Sequence, residues 1–370
     1  MKYLKILIIS IMATFIWGCA TDQPEKDMTT PAPSSLLPNS YGRPNQIFVV
    51  ADTTLWKSAV GDTFFYYFAS PYILLPQPEP IFDIQHLTPE QLAKNPAKKE
   101  FKSIIFLADM EDDNSITTQQ VSHDVGAVKV EEARIDKGFT TIVGQNKWAL
   151  NQQLFYIIGF GEEKLIENIS KNFPPIARRV NDRDAKMIES NTYQSGSNNE
   201  LESDLALSFG VQMKIPGSFK KILYNTSTNT VWLRSDDRNV VANILVHRRP
   251  YTNEQQLTYD GIKSIRNEVG KIISSQQPNT YMQINDIDLP LFVEKKTLNG
   301  FYTVQARGIW EMVNDFKGGA FISNLLLNQA KNELIFVDGF LFAPGEPEKR
   351  DYMQELDLIL SSAEPIVGEN

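Results

Sequence analysis

Cys19 is the only cysteine in the 370-residue sequence, and it follows Gly18 at the end of an apolar run, residues 6–17, headed by Lys2 and Lys5. A positive head, about a dozen apolar residues and a small residue before a cut form a secretory signal. A thiol directly after that cut can take a lipid, so the chemistry read at Cys19 is attachment. Trp17 departs from the small residue usual beside Gly18. The run is shorter than the roughly 20 residues a spanning helix needs. Other chemistries find less support. A nucleophilic hydrolase needs an activated Ser or Cys, as in Gly-x-Ser-x-Gly, and that elbow does not occur. His86, His123 and His247 stand far apart in no ligand spacing, so no metal is expected. Asp109, Glu111, Asp112 and Asp113 invite a calcium loop, but Asn114 and Gln120 occupy the places of its glycine and closing glutamate. Lys317-Gly318-Gly319 could cradle an anion, yet no helix-opening phosphate loop surrounds it. Trp56, Trp148, Trp232 and Trp310 could line a groove, although tryptophans serve cores more often. The set left is Arg307, Trp310, Glu311 and Asp315, which crowds charge around an aromatic and is read as a partner-binding site. No catalytic residue and no cofactor are assigned.

Composition narrows the partners. The formal charge is −9, and removal of residues 1–18 takes two lysines and moves it to −11. An acidic body has no patch for nucleic acid and is repelled by anionic lipid, so attachment falls to the N-terminal lipid. With one cysteine no intrachain disulfide can form, and stability rests on packing.

The elements that must position these residues fall into two blocks. Residues 19–45 carry Pro24, Pro31, Pro33, Pro38 and Pro44 among polar residues and read as a disordered tether after Cys19. A polyproline-like tether of this length reaches roughly 80 Å. Residues 46–183 form a first module, with strands at 47–51, 103–108, 138–145 and 154–160 and a helix at 162–173. Residues 184–204 lack periodicity and read as a linker. Residues 205–364 form a second module, rich in strands and closed by a strand, a Pro344-Gly345 turn and a helix; 365–370 are a tail.

The two halves echo one another. Gly138, Phe139, Thr141 and Trp148 match Gly300, Phe301, Thr303 and Trp310, and Leu154, Gly159 and Phe160 match Leu334, Gly339 and Phe340 across an inserted stretch. The expected class is α+β: two related modules of largely antiparallel sheet with packed helices, without regular strand-helix-strand alternation.

The opening segment resembles that of bacterial lipoproteins. That resemblance implies a diacylglycerol on Cys19, cleavage after Gly18, further acylation such as palmitate, and an address on the cell envelope, at the outer membrane on its periplasmic or surface face. Residues 74–83 (LLPQPEPIFD), 307–311 (RGIWE), 315–319 (DFKGG), Gly339-Phe340 and Ala343-Pro344-Gly345 resemble a lipoprotein family defined by domain of unknown function 4837. It brings an architecture and no activity. The second half also resembles the PsbP-like sandwiches through Met213-Lys214-Ile215-Pro216, Gly300-Phe301 and its closing strand-turn-helix; that resemblance implies a mostly non-catalytic fold. The expected function is a non-enzymatic binding or scaffold lipoprotein for an envelope protein or glycan. The competing reading is a carboxylate-based envelope hydrolase.

Overall fold

A computed structural model describes residues 37–368 except 73, 74, 76 and 238. The signal segment, Cys19 and the tether up to residue 36 lie outside the described residues. Residues 37–45, read from sequence as the end of the tether, pack onto the first module. Leu150 N–H donates to Pro38 O at 2.8 Å, Ser40 N–H to Leu150 O at 3.0 Å and Lys102 N–H to Tyr41 O at 3.1 Å. Backbone pairing orders this stretch where side chains gave no signal.

The first module alternates strands with helices: β1 (Gln46–Val50), α1 (Thr53–Trp56), α2 (Ala59–Phe68), β2 (Asp83–Leu87), α3 (Pro89–Lys94), β3 (Ser103–Asp109), α4 (Ile116–Val125), α5 (Ala127–Asp136), β4 (Phe139–Gln145), β5 (Gln153–Gly159) and α6 (Glu162–Thr192). The sheet order is β2-β1-β3-β5-β4. β1 runs parallel to β2 and β3, and β3 parallel to β5, with β4 antiparallel at the edge. Helices cover both faces. Phe64, Phe68, Leu165 and Ile169 pack with Ile105 and Phe155 on one side, and Leu92, Val121 and Ala133 with Ile104 and Phe106 on the other. A strand buried on both faces is apolar throughout, which is why residues 103–108 read as a continuous run. The alternation escaped the sequence because α4 and α5 bury only Thr117, Thr118, Val121 and Ala133 and show little periodicity.

The second module holds α7 (Asn199–Phe209), β6 (Val211–Gln212), β7 (Lys220–Asn225), β8 (Thr230–Asp237), β9 (Val240–Pro250), α8 (Tyr259–Gly270), β10 (Tyr281–Ile284), β11 (Phe292–Leu298), β12 (Phe301–Val313), β13 (Gly318–Asn328), β14 (Glu333–Phe342), α9 (Arg350–Ser361) and β15 (Glu364–Pro365). Its main sheet, β10-β12-β13-β14-β9-β8-β7 with β11 also on β12, is antiparallel throughout. α7 and α9 cover one face through Leu205, Phe209, Met353, Leu356 and Leu360. α8 covers the other through Ile262, Ile265 and Val269. The chain is thus α+β with largely antiparallel sheet, and the parallel pairings of the main sheets are confined to the first module. The inserted stretch of the echo is β13, which separates β12 from β14, whereas β4 and β5 are direct neighbours.

Within the span read as a linker, α6 continues to Thr192 through Pro174 and Pro175, and α7 begins at Asn199. The connecting turn is short.

The modules are locked together chiefly around α9, by residues 72–83 and by Asn45 of the first. Leu75 is buried in the core beneath α9, and Tyr72 packs beside it. Glu79 accepts from the backbone N–H groups of Lys349 and Arg350, both at 2.8 Å. α9 has no side-chain cap of its own, so a carboxylate of the other module fills its orphan donors and faces its positive end. Arg350, 4 % exposed, donates to Pro80 O at 2.6 Å and to both Asp83 oxygens at 3.2 and 3.0 Å. Asn45 bonds Gln354 at 2.7 Å and Asp351 at 3.2 Å.

Candidate functional site

The C-terminal half of α6 forms one wall of a cavity of about 920 Å³. Arg179, Asp182, Arg183, Lys186, Met187 and Ser190 line it from positions i, i+3, i+4, i+7, i+8 and i+11, a single helix stripe. The opposite wall is built from Asn39 and Ser40 of the N-terminal segment, Lys102 before β3, and Asn151 and Gln153 at the start of β5. The cleft therefore sits where the parallel strands begin, beside the point at which the described chain enters the fold.

Behind the wall lies a buried charge centre. Asp184 accepts from Asn45 N–H at 2.8 Å and from Arg183 at 2.8 Å, with Lys102 Nζ at 3.4 Å. Arg183 also donates to Lys102 O at 2.5 Å and Ser103 Oγ at 2.6 Å. Burial pushes the Lys102 ammonium down, and Asp184 opposes that shift. These groups hold each other. Arg179 and Lys186 are exposed and make no ion pair or hydrogen bond among the described residues. Two free cations thus face the cavity in front of a satisfied centre.

The structure does not bring Arg307, Trp310, Glu311 and Asp315 together. Arg307 and Trp310 are three apart on β12, so they point to opposite faces. Arg307 lies on the α9 face, donating to Asp357 at 2.8 Å and to Gln305 Oε1 at 2.7 Å, and Gln305 passes the chain to Asn324 at 2.7 Å. Burial works to lower the Arg307 guanidinium, but the Asp357 carboxylate and Tyr72 outweigh it and leave it raised. Desolvation pushes Tyr72 up to about 12. Trp310 is core. Its Nε1 donates to Leu341 O at 3.0 Å, closing the fork where β13 and β14 diverge. Gly319 is required there, since a Cβ would lie 2.1 Å from that carbonyl oxygen. Glu311 accepts from Gln283 and Asn285, and Asp315 pairs with Lys317 at 3.2 Å. A smaller pocket of about 400 Å³ lies at the fork, lined by Gly318, Gly319, Ala343, Pro344, Gly345 and Gln77 among others.

The remaining sequence candidates also disperse. His86 meets Ala51 O at 2.8 Å and stacks on Trp56, His123 is exposed beside Asp124, and His247 bonds Thr230 with its charge disfavoured by burial. Asp109 accepts from Glu111 N–H and Gly161 N–H, which makes it a turn cap. Among the described residues no three metal-type ligands cluster. Trp56, Trp148 and the pair Trp232 and Trp310 belong to three different packing groups, so they line no common groove. Sequence reasoning missed the α6 stripe because it lay in and beside the presumed linker; the signal was the four- and three-residue spacing of Arg179, Arg183 and Lys186.

A second buried pair lies under α8. Arg266 is 1 % and Asp338 0 % exposed, joined at 3.0 Å, with Ser323 Oγ–H donating to Asp338 at 2.6 Å and Phe321 beneath the guanidinium at 3.5 Å. Desolvation raises the Asp338 carboxyl.

No helix among the described residues is long and apolar enough to cross a membrane. No curated protein matches the chain. Among solved structures, a chain of a point mutant of the protein Mog1 is similar at 9 % identity and a TM-score of 0.27, covering 42 % of this chain and 91 % of that one. Residues 198–362 match the family model of a domain of unknown function, DUF4837, the family resembled by the motifs from residue 307 onward, whereas residues 40–193, which include the 74–83 motif, match that of another, DUF8532. The two matches follow one another along the chain, and both are to domains of unknown function.

Proposed function

We propose that this chain is a lipid-anchored binding protein of the cell envelope that holds a glycan or protein partner without catalysing a reaction on it. The observation that carries this reading is the cleft of about 920 Å³ along α6, whose lining residues other than Met187 are of polar or charged type and which keeps Arg179 and Lys186 free. Binding sites place a few unsatisfied polar groups in a preformed concavity, and the clasp of Glu79, Asp83 and Arg350 ties the two modules to one another. Cys19 is the attachment point, cleaved free after Gly18, and the body stands at the outer membrane on its periplasmic or surface face.

Affinity purification of the native lipoprotein after crosslinking in cells tests the reading, with Ser190→Trp as a variant that fills the cleft from an exposed position. The partner should vanish with the filled cleft; recovery of the same partner overturns the reading. Cys19→Ala should move the protein from the membrane to the soluble fraction. The hydrolase alternative draws on Glu355, which burial, with Asp351 and Asp237 nearby, pushes up to about 7. A carboxyl with that pKa can serve as a general acid at neutral pH.

A further inference from the structure

We infer that the α6 cleft takes an acidic sugar chain, whose carboxylates meet Arg179 and Lys186 and whose hydroxyls meet the amide and hydroxyl side chains of the facing wall. The inference rests on the cleft being the binding surface and names the class of its ligand.

Charge points first to an anion. Lys102, Arg179, Arg183 and Lys186 line the cavity against Asp182 and Asp184, while the whole chain carries −9. A cationic concavity in an acidic body concentrates counter-charge at that one place. Asp184 is already neutralised from behind by Lys102 and Arg183, and at the surface Arg179 and Lys186 outweigh the exposed Asp182. Cations near a helix C-terminus can answer its dipole, but that effect fades within the last turn, and the last turn of α6 holds no basic residue. The stripe therefore needs another explanation. The two free cations, Arg179 and Lys186, stand roughly 10 Å apart along the helix axis, a spacing suited to a chain presenting anions in series and not to one small ion.

The neutral groups select the kind of anion. Asn39, Ser40, Asn151, Gln153, Ser190 and Asn191 each donate and accept, as hydroxyl groups around a sugar ring require. An acidic peptide would want pockets for its alternate side chains, and Met187 is the single large apolar side chain in the lining. A phosphate would want backbone N–H groups at a helix N-terminus, whereas this wall comes from the C-terminal half of α6.

Calorimetric titration of the full chain with oligogalacturonate, neutral dextran oligomer, polyglutamate and inorganic polyphosphate tests the inference. Oligogalacturonate should bind, weaken as salt is raised, and weaken at least tenfold in R179E/K186E; dextran should not bind. Equal or tighter binding of polyglutamate or polyphosphate would overturn the sugar assignment. Loss of binding in Ser190→Trp with full binding in R179E/K186E would overturn the ionic recognition and leave the cleft as the binding surface. Binding that neither variant alters would overturn both.

Discussion

Two buried charge centres in this molecule are built differently. Arg266 and Asp338 are sealed between α8 and the antiparallel sheet, each at most 1 % exposed. Asp184 and Lys102 are nearly as buried, at 1 % and 3 % exposed, but Arg183 is partly open and the group backs onto a cavity of about 920 Å³. Sealing makes a pair depend wholly on its partner, because no water can replace a lost charge. At the second centre water can reach Arg183, and Arg179 and Lys186 in front of it stay free to meet a ligand. The contrast assigns the first to holding α8 on its sheet and the second to holding the wall of a site.

The largest effects should separate the two centres. Asp338→Ala leaves a buried guanidinium unpaired and should lower stability by about 3–5 kcal/mol. Asp184→Ala, which leaves the partly open Arg183 within reach of water, should lose about 1–3 kcal/mol on the same urea denaturation curves. Equal losses would erase the distinction. Trp310→Ala should also remove about 3–5 kcal/mol as a core truncation, which places this residue with the sealed region. Arg350→Ala, leaving Asp83 without its bidentate partner, should lose about 2–4 kcal/mol and give two separate unfolding transitions as the modules uncouple.

A pH effect comes next. Glu355 has a folded pKa of about 7 against an ordinary 4.5, so the folded state binds this proton more tightly than the unfolded chain. Its contribution is complete below 4.5, declines as pH rises through that window, and is gone above about 7. Glu355→Gln should flatten stability between those limits and raise it at pH 8, by an amount on the order of 1–3 kcal/mol. The smallest effect belongs to the open wall: Arg179→Ala and Lys186→Ala should change stability by less than about 0.5 kcal/mol while weakening ligand binding.

The strands of the second module were legible because long half-buried strands announce themselves by alternation and by runs such as residues 334–342. The 74–83 motif was legible as a specific pattern, but its work was not. Glu79 meets Lys349 across 270 positions, a pairing that no local spacing reveals. Arg307 and Trp310 looked like one site because they are close in sequence; the period of two in a strand sends them to opposite faces. The cleft was hidden for a different reason. The sequence reads as a helix over 162–173 and, for lack of periodicity, as a linker over 184–204, because the buried side of α6 beyond Pro174 and Pro175 is confined to Ile176, Val180 and Asp184.

The most direct test places a photo-crosslinking residue at Ser190, in the cleft, and at Tyr66, exposed on α2, in the full-length protein in intact cells. A sugar-containing adduct formed from position 190 and absent from position 66 is the expected result. No adduct at 190, or the same adducts from both positions, would contradict the assignment of the α6 cleft as the binding surface.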